Sequence, residues 1–211
     1  MGHGTTAGFG LAALSLVGIM YCIISNEWKR SSQLASQQSL KFLYLSEGLW
    51  MRCTVPTPGI MQCDNYSTAL FDVEQYLQAL RAMMILSGIC MFAACVLDCL
   101  AMDCINCVEE RNQLWLARVG GVLAVLAGLL CVASVSWYAS EVIKEFRYDF
   151  IEEGIKYTFG SALYVGWVAG GFAVISGCIT ACCNCISTED ERLEYSYKPP
   201  KSKPKTSEEY V

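Results

Sequence analysis

The stretch Glu47–Cys63 reads EGLWMRCTVPTPGIMQC. It carries two of the chain's thirteen cysteines, Cys53 and Cys63, behind the triplet Gly48-Leu49-Trp50. Between the cysteines, Thr57-Pro58-Gly59 is a turn signal, because proline presets φ and glycine accepts φ > 0. Two strands folded back at this turn bring Cys53 opposite Cys63, so the spacing predicts a disulfide across a strand pair. Such a bond is worth about 2–3 kcal/mol on the chain-entropy account. Upstream, Leu40, Phe42 and Tyr44 alternate within SLKFLYLSEGLWMRC and read as further strand. A small sheet has little core of its own, and a staple compensates for that.

The polar segment lies between greasy ones. The chain has 211 residues, is 54% hydrophobic, and has a mean hydropathy of +0.37. Four runs are nearly free of charge: Ala7–Ser25, Ala82–Met102 with the single charge Asp98, Val119–Ala139 and Phe159–Ile186. A spanning helix needs roughly 20 apolar residues. A soluble domain of this size has too little polar surface to hide four such runs. We therefore read a four-span domain over 1–186, with spans at 7–25, 82–102, 119–139 and 159–186. Loops 26–81 and 140–158 share one face, and a polar tail, 187–211, follows. The tail contains Pro199-Pro200 and Pro204 and reads as disordered. The opening MGHGTTA lacks Lys and Arg, so the first run reads as a retained span and not a signal peptide.

Basic residues do not orient the chain, with eight Lys/Arg on one face and seven on the other. Cysteine placement does. Cys53 and Cys63 share the first loop with the sequon Asn65-Tyr66-Ser67, a glycosylation candidate, and suit an oxidising exterior. Cys104, Cys107, Cys182, Cys183 and Cys185 cluster at span ends on the other face and are palmitoylation candidates. Both termini are expected in the cytoplasm.

From Ser67, Leu70, Val73, Leu77 and Leu80 fall at helical spacing. This predicts a helix at the outer membrane surface that runs into the second span, with Arg81 at the junction.

Catalysis is not expected. The one histidine is His3, and neither a nucleophile–base arrangement nor a phosphate loop is present. Cys104-x-x-Cys107 with Cys182-Cys183-x-Cys185 has metal-type spacing, but acylated or free thiols at a membrane edge are the preferred reading. No metal, cofactor or nucleic-acid partner is expected. Gly120-Gly121 and Gly170-Gly171 lie within spans, where small residues let helices approach closely.

Trp28, Gly48-Leu49-Trp50, Cys53 and Cys63 form the pattern W…GLW…C…C. Together with QCDNYST, LQALRAMM including Arg81, VSWYA, KYTFGSALYVGW and the terminal Tyr210-Val211, the chain resembles the claudin family of tight-junction proteins. The resemblance runs from Trp28 to Val211. It implies a left-handed bundle of four transmembrane helices, an extracellular antiparallel sheet of about five strands and a short extracellular helix. The Gly48-Leu49-Trp50 segment then anchors the sheet beside the bundle. It also implies a plasma-membrane protein of tight junctions that joins with its own kind and other claudins, in the same and the adjacent membrane, and controls paracellular permeability.

Site residues follow from the same resemblance. Asp64, just after the second cysteine, occupies a position that sets ion selectivity in pore-forming members, and its acid favours cations. Arg52 has the opposite sign to the acid that cation-selective relatives carry beside the first cysteine. A glycan on Asn65 is expected to crowd Asp64. Ala69 stands where the family uses a bulky apolar contact residue. Phe146 is present, but its neighbour is Arg147 where relatives carry an aromatic, and a Glu usual near Thr158 is absent. Tyr210-Val211 matches a terminus that binds PDZ scaffold proteins. The other reading is an auxiliary subunit of an ion channel or receptor, or a myelin-type protein, from a related four-span family. Tetraspanins fit worse, because their large cysteine-rich loop is the second one.

Overall fold

The computed structural model of the protein describes residues 3–33, 42–56, 60–65, 75–101, 110–149 and 155–196. Four helices appear in chain order: α1 (His3–Ile24), α2 (Gln75–Ala101), α3 (Glu110–Asp149) and α4 (Ser161–Ser196). Five strands accompany them: β1 (Lys29–Gln33), β2 (Phe42–Glu47), β3 (Met51–Pro56), β4 (Gln62–Asn65) and β5 (Ile155–Phe159). Each helix holds a stretch long and apolar enough to cross a membrane: Thr6–Ile24, Gln75–Ala101, Gln113–Lys144 and Ser161–Ala181.

The helices form a ring in which α1 and α3 each pack against both α2 and α4. Ile19, Leu80, Met84, Met91, Val135 and Leu163 are fully buried between them. Leu14, Val17, Ile89, Phe92, Val122, Leu126, Val168 and Ile175 point outward. Such a surface is stable against hydrocarbon and not against water. Buried hydroxyls tie helices together through carbonyls: Ser15 to Ala169 O at 2.8 Å, Ser87 to Ala127 O at 2.8 Å and Ser176 to Gly8 O at 2.8 Å. In lipid such groups need an internal partner.

Glycine sets the closest helix contact. A Cβ on Gly121 would sit 2.9 Å from Gly177 O, and one on Gly177 2.5 Å from Gly121 O. Seven residues along, a Cβ on Gly128 would meet Gly170 O at 2.7 Å, and one on Gly170 would meet Gly128 O at 3.1 Å. The α3 and α4 backbones therefore touch at two reciprocal points, and a seven-residue repeat keeps one face in contact along a left-handed seam. Gly120 faces the other way, toward α2, where a Cβ would lie 2.7 Å from Oδ1 of the buried Asp98.

Helix ends differ from the sequence reading in ways that local chemistry explains. From Gln75, α2 is one continuous helix through Arg81, as the reading of a helix that runs into the second span expects. Residues 66–74, where the surface helix is expected to begin, lie outside the described residues. The third span was read as 119–139, but α3 runs from Glu110 to Asp149. Apolarity ends near Ala139. The helix does not, because Glu141 and Lys144 pair on its surface at 2.7 Å. Likewise α4 continues to Ser196, into the segment read as a disordered tail from residue 187. Glu, Arg and Leu in that stretch are good helix formers, and the first proline is Pro199.

The sheet is antiparallel, in the order β4-β3-β2-β1-β5. It sits where α1 and α3 end and α2 and α4 begin. Four strands come from the first loop. The fifth, β5, comes from the second and pairs with β1 from Lys29↔Phe159 to Gln33↔Ile155. The sequence reading starts span four at Phe159, whereas Phe159 is the last residue of β5 and the helix begins at Ser161.

Candidate functional site

Two indoles fasten the sheet to the bundle. The last carbonyls of a helix lack intrahelical partners. At the end of α1, Tyr21 O accepts from Ser25 N at 2.8 Å. Cys22 O accepts from Trp28 Nε1 at 2.9 Å, and Ile23 O from Trp50 Nε1 at 2.7 Å. Trp28 is fully buried and meets Tyr138 of α3 edge to face, with centroids 5.1 Å apart. Trp50 is 37% exposed and lies under the Arg81 guanidinium, 5.0 Å from its ring centre. Arg81 Nε also donates to Leu49 O at 2.7 Å, and Leu49 is fully buried in the core. The triplet thus has a division of labour: Leu49 fills the core, Trp50 caps α1, and Gly48 makes room.

That room is needed because the Ser25–Trp28 segment is squeezed from two sides. A Cβ on Gly48 would lie 2.5 Å from Asn26 Cα, and one on Gly160 only 1.8 Å from Glu27 O. Glu27 also closes the start of α4. Its carbonyl accepts from Ala162 N at 3.1 Å, and its carboxylate accepts from Ser161 Oγ at 2.6 Å. The Ser161 hydroxyl first, then the paired Arg30, hold the Glu27 carboxyl below its ordinary range. Gly160 falls within the KYTFGSALYVGW segment, but its close approach to Glu27 could not be read there, and Glu27 itself carries no motif signal.

The sheet carries the expected staple. Cys53 pairs with Cys63 in register and is bonded to it. Cys53 is buried and Cys63 exposed, so the bond ties the free edge strand β4 to the packed strand β3.

One row across the sheet alternates in charge. Directly opposed residues share a face. The registers align Asp64 with Arg52, Arg52 with Glu47, Glu47 with Lys29 and Lys29 with Phe159. Glu47 uses both oxygens, one at 2.7 Å from Arg52 and the other at 3.9 Å from Lys29. Asp64 is exposed at the outer end of the row, on β4. Among the described residues no ion pair engages it. Asn65 is also exposed, but successive strand residues face opposite sides.

The family model described as PMP-22/EMP/MP20/Claudin matches residues 5–180. The chain belongs to this family. Among its relatives, human Claudin-7 is 31% identical over 97% of this chain and 96% of its own length. Human Claudin-19 is 37% identical over 91% of this chain and 84% of its own length. Claudin-4 of Chlorocebus aethiops is 34% identical over 92% of each.

The other residues singled out by the claudin resemblance are placed only partly. Phe146 and Arg147 lie on the last turns of α3, and Cys182, Cys183 and Cys185 on α4 beyond its membrane-crossing stretch. Ala69, Cys104, Cys107, Tyr210 and Val211 lie outside the described residues. Among the described residues no group of His, Cys, Asp or Glu is arranged to hold a metal ion.

Proposed function

We propose that this protein is a structural cell–cell adhesion protein of tight junctions that controls paracellular permeability, and that it acts as a cation-preferring paracellular channel. Claudin relatives aligned over nearly the whole chain support the first part. One observation carries the second: Asp64 is an exposed carboxylate on the edge strand, beside the bonded Cys63 and outside every ion pair of the described residues. A fixed negative charge on a narrow water path attracts cations and repels anions.

In this reading the protein assembles with itself and other claudins, side by side in one membrane and head to head across two. The sheet faces the extracellular gap and both termini face the cytoplasm. The Cys53–Cys63 bond supports that orientation, since disulfides persist in oxidising compartments. Cys182, Cys183 and Cys185, with Cys104 and Cys107, take palmitate and hold membrane lipid. Tyr210-Val211 adds a strand to a PDZ scaffold, with the carboxylate held by backbone N–H groups. The role is structural and not enzymatic.

The test is expression in epithelial cells depleted of their own claudins, with transepithelial conductance and the NaCl dilution potential recorded. Higher conductance with Na⁺ preferred, and loss of the preference in Asp64→Asn, is the expected result. Lower conductance, with the Asn variant indistinguishable from wild type, would make the protein a seal and Asp64 a surface charge.

A further inference from the structure

We propose that Phe159, Tyr164 and Trp167 form a seat for the choline headgroup of a phospholipid in the leaflet on the sheet side of the bundle. The proposal is independent of the channel reading and rests only on the four-span fold.

The three rings come from two elements. Phe159 is the last residue of β5, and Tyr164 and Trp167 lie on the first two turns of the membrane-crossing stretch of α4, Ser161–Ala181. Each pair of rings meets nearly at right angles. Phe159 and Tyr164 cross at 78° with centres 6.5 Å apart, Phe159 and Trp167 at 83° and 6.4 Å, and Tyr164 and Trp167 at 78° and 6.0 Å. Three mutually perpendicular planes with evenly spaced centres are the walls of a box corner. The point that faces all three walls lies about 4.5 Å from each centre, within the ~6 Å reach of a cation–π contact. Trp167 is held in place by its indole, which donates to Ser136 Oγ of α3 at 3.2 Å. Phe159 and Trp167 are half-buried and Tyr164 is 56% exposed, so the corner opens outward.

Position and neighbouring charge select the ligand. The corner lies where α4 enters the membrane, at the level of lipid headgroups. Below it, Val168 and Ile175 continue the outward stripe of Tyr164. A Cβ on Gly171 between them would meet nothing within 4 Å, which leaves room for an acyl chain. The charges nearby are already engaged: Lys29, opposite Phe159, reaches Glu47 at 3.9 Å, and Arg30 pairs with Glu27. The ring faces therefore supply the attraction for a cation. A trimethylammonium suits them because it is weakly hydrated and has no N–H to satisfy. The primary ammonium of phosphatidylethanolamine carries three donors and is strongly hydrated, so ring faces replace its water poorly.

The experiment places the full chain in nanodiscs that hold equal amounts of phosphatidylethanolamine, its N-methyl and N,N-dimethyl derivatives and phosphatidylcholine, all with the same acyl chains. Native mass spectrometry then counts the lipids that stay bound. Retention should rise with each added methyl, to about two- to five-fold for phosphatidylcholine over phosphatidylethanolamine, the scale of one exposed cation–π contact. Tyr164→Phe keeps the ring and should keep the series. Tyr164→Leu removes an exposed ring, leaves the core alone and should flatten the series. A flat series in the wild-type protein overturns the proposal and makes the three rings an ordinary interfacial belt. That result needs no variant, so it decides the matter even where Tyr164→Leu fails to fold. A series that survives in folded Tyr164→Leu, or is lost in Tyr164→Phe, overturns the proposal as well.

Discussion

Trp28 and Trp50, 22 positions apart in sequence, donate to the consecutive carbonyls of Cys22 and Ile23 at 2.9 and 2.7 Å. The end of α1 is thus capped by side chains from the sheet segment that it anchors. Replacing either indole by phenylalanine keeps the ring and deletes the donor. Trp50→Phe should cost about 1 kcal/mol, a typical hydrogen bond. Trp28→Phe should cost more, about 2–3 kcal/mol, because a buried acceptor is orphaned and the edge-to-face contact with Tyr138 is disturbed. Thermal unfolding in detergent orders the two. No loss of stability in either variant would mean that the donors do not cap α1.

The two glycine classes should separate sharply. Gly160→Ala places a Cβ 1.8 Å from Glu27 O and has no room, so little protein should reach the cell surface. Gly171→Ala meets nothing within 4 Å and should be neutral or slightly stabilising, since alanine favours helix. Surface biotinylation of both variants is sufficient, and normal surface levels of Gly160→Ala would contradict the packing described.

Loss of the staple acts first on the edge. Cys53→Ser should destabilise by about 2–3 kcal/mol, by the loop-closure scale. Because β4, among the described residues, pairs only with β3, its amides should gain the most hydrogen exchange. Junctional function should be lost while the helices remain folded. Normal ion permeability of the variant at the junction would falsify the assignment.

Glu27 gives the protein an acid limb. Its folded pKa is lowered from an ordinary 4.5. A group lowered in this way stabilises the fold above its ordinary pKa, and the contribution is lost as pH falls through the folded value. Thermal stability should therefore decline from about pH 4.5 downward, and Glu27→Gln should flatten that slope and meet the wild-type curve at low pH. Parallel curves would mean that Glu27 does not titrate with folding.

The fold was legible where the signal is local. Spans announce themselves by length and apolarity, and Cys53, the Thr57-Pro58-Gly59 turn and Cys63 announce the stapled pair. Trp28, Leu49 and Trp50 were recognisable as a motif, but their acceptors were not. A carbonyl on α1 has no sequence signature. Strand β5 was missed because its partner β1 lies more than a hundred residues away and its five residues abut an apolar run. Gly128 and Gly177 were missed for a related reason: each glycine is explained only by the helix that faces it. At the candidate site, Asp64 could be named from its neighbour Cys63. The Glu47 contact that ties up Arg52 could not, because register is a property of paired strands and not of either alone.

The pairing of β1 with β5 has a mechanical consequence. β1 follows α1 and β5 precedes α4, and the two are bonded to each other up to the membrane edge, where Gly160 N reaches Trp28 O at 3.0 Å. Tension applied to the sheet would enter both helices at once. Those helices are themselves packed together, so the load is divided across the whole width of the bundle and no single helix is peeled from its end.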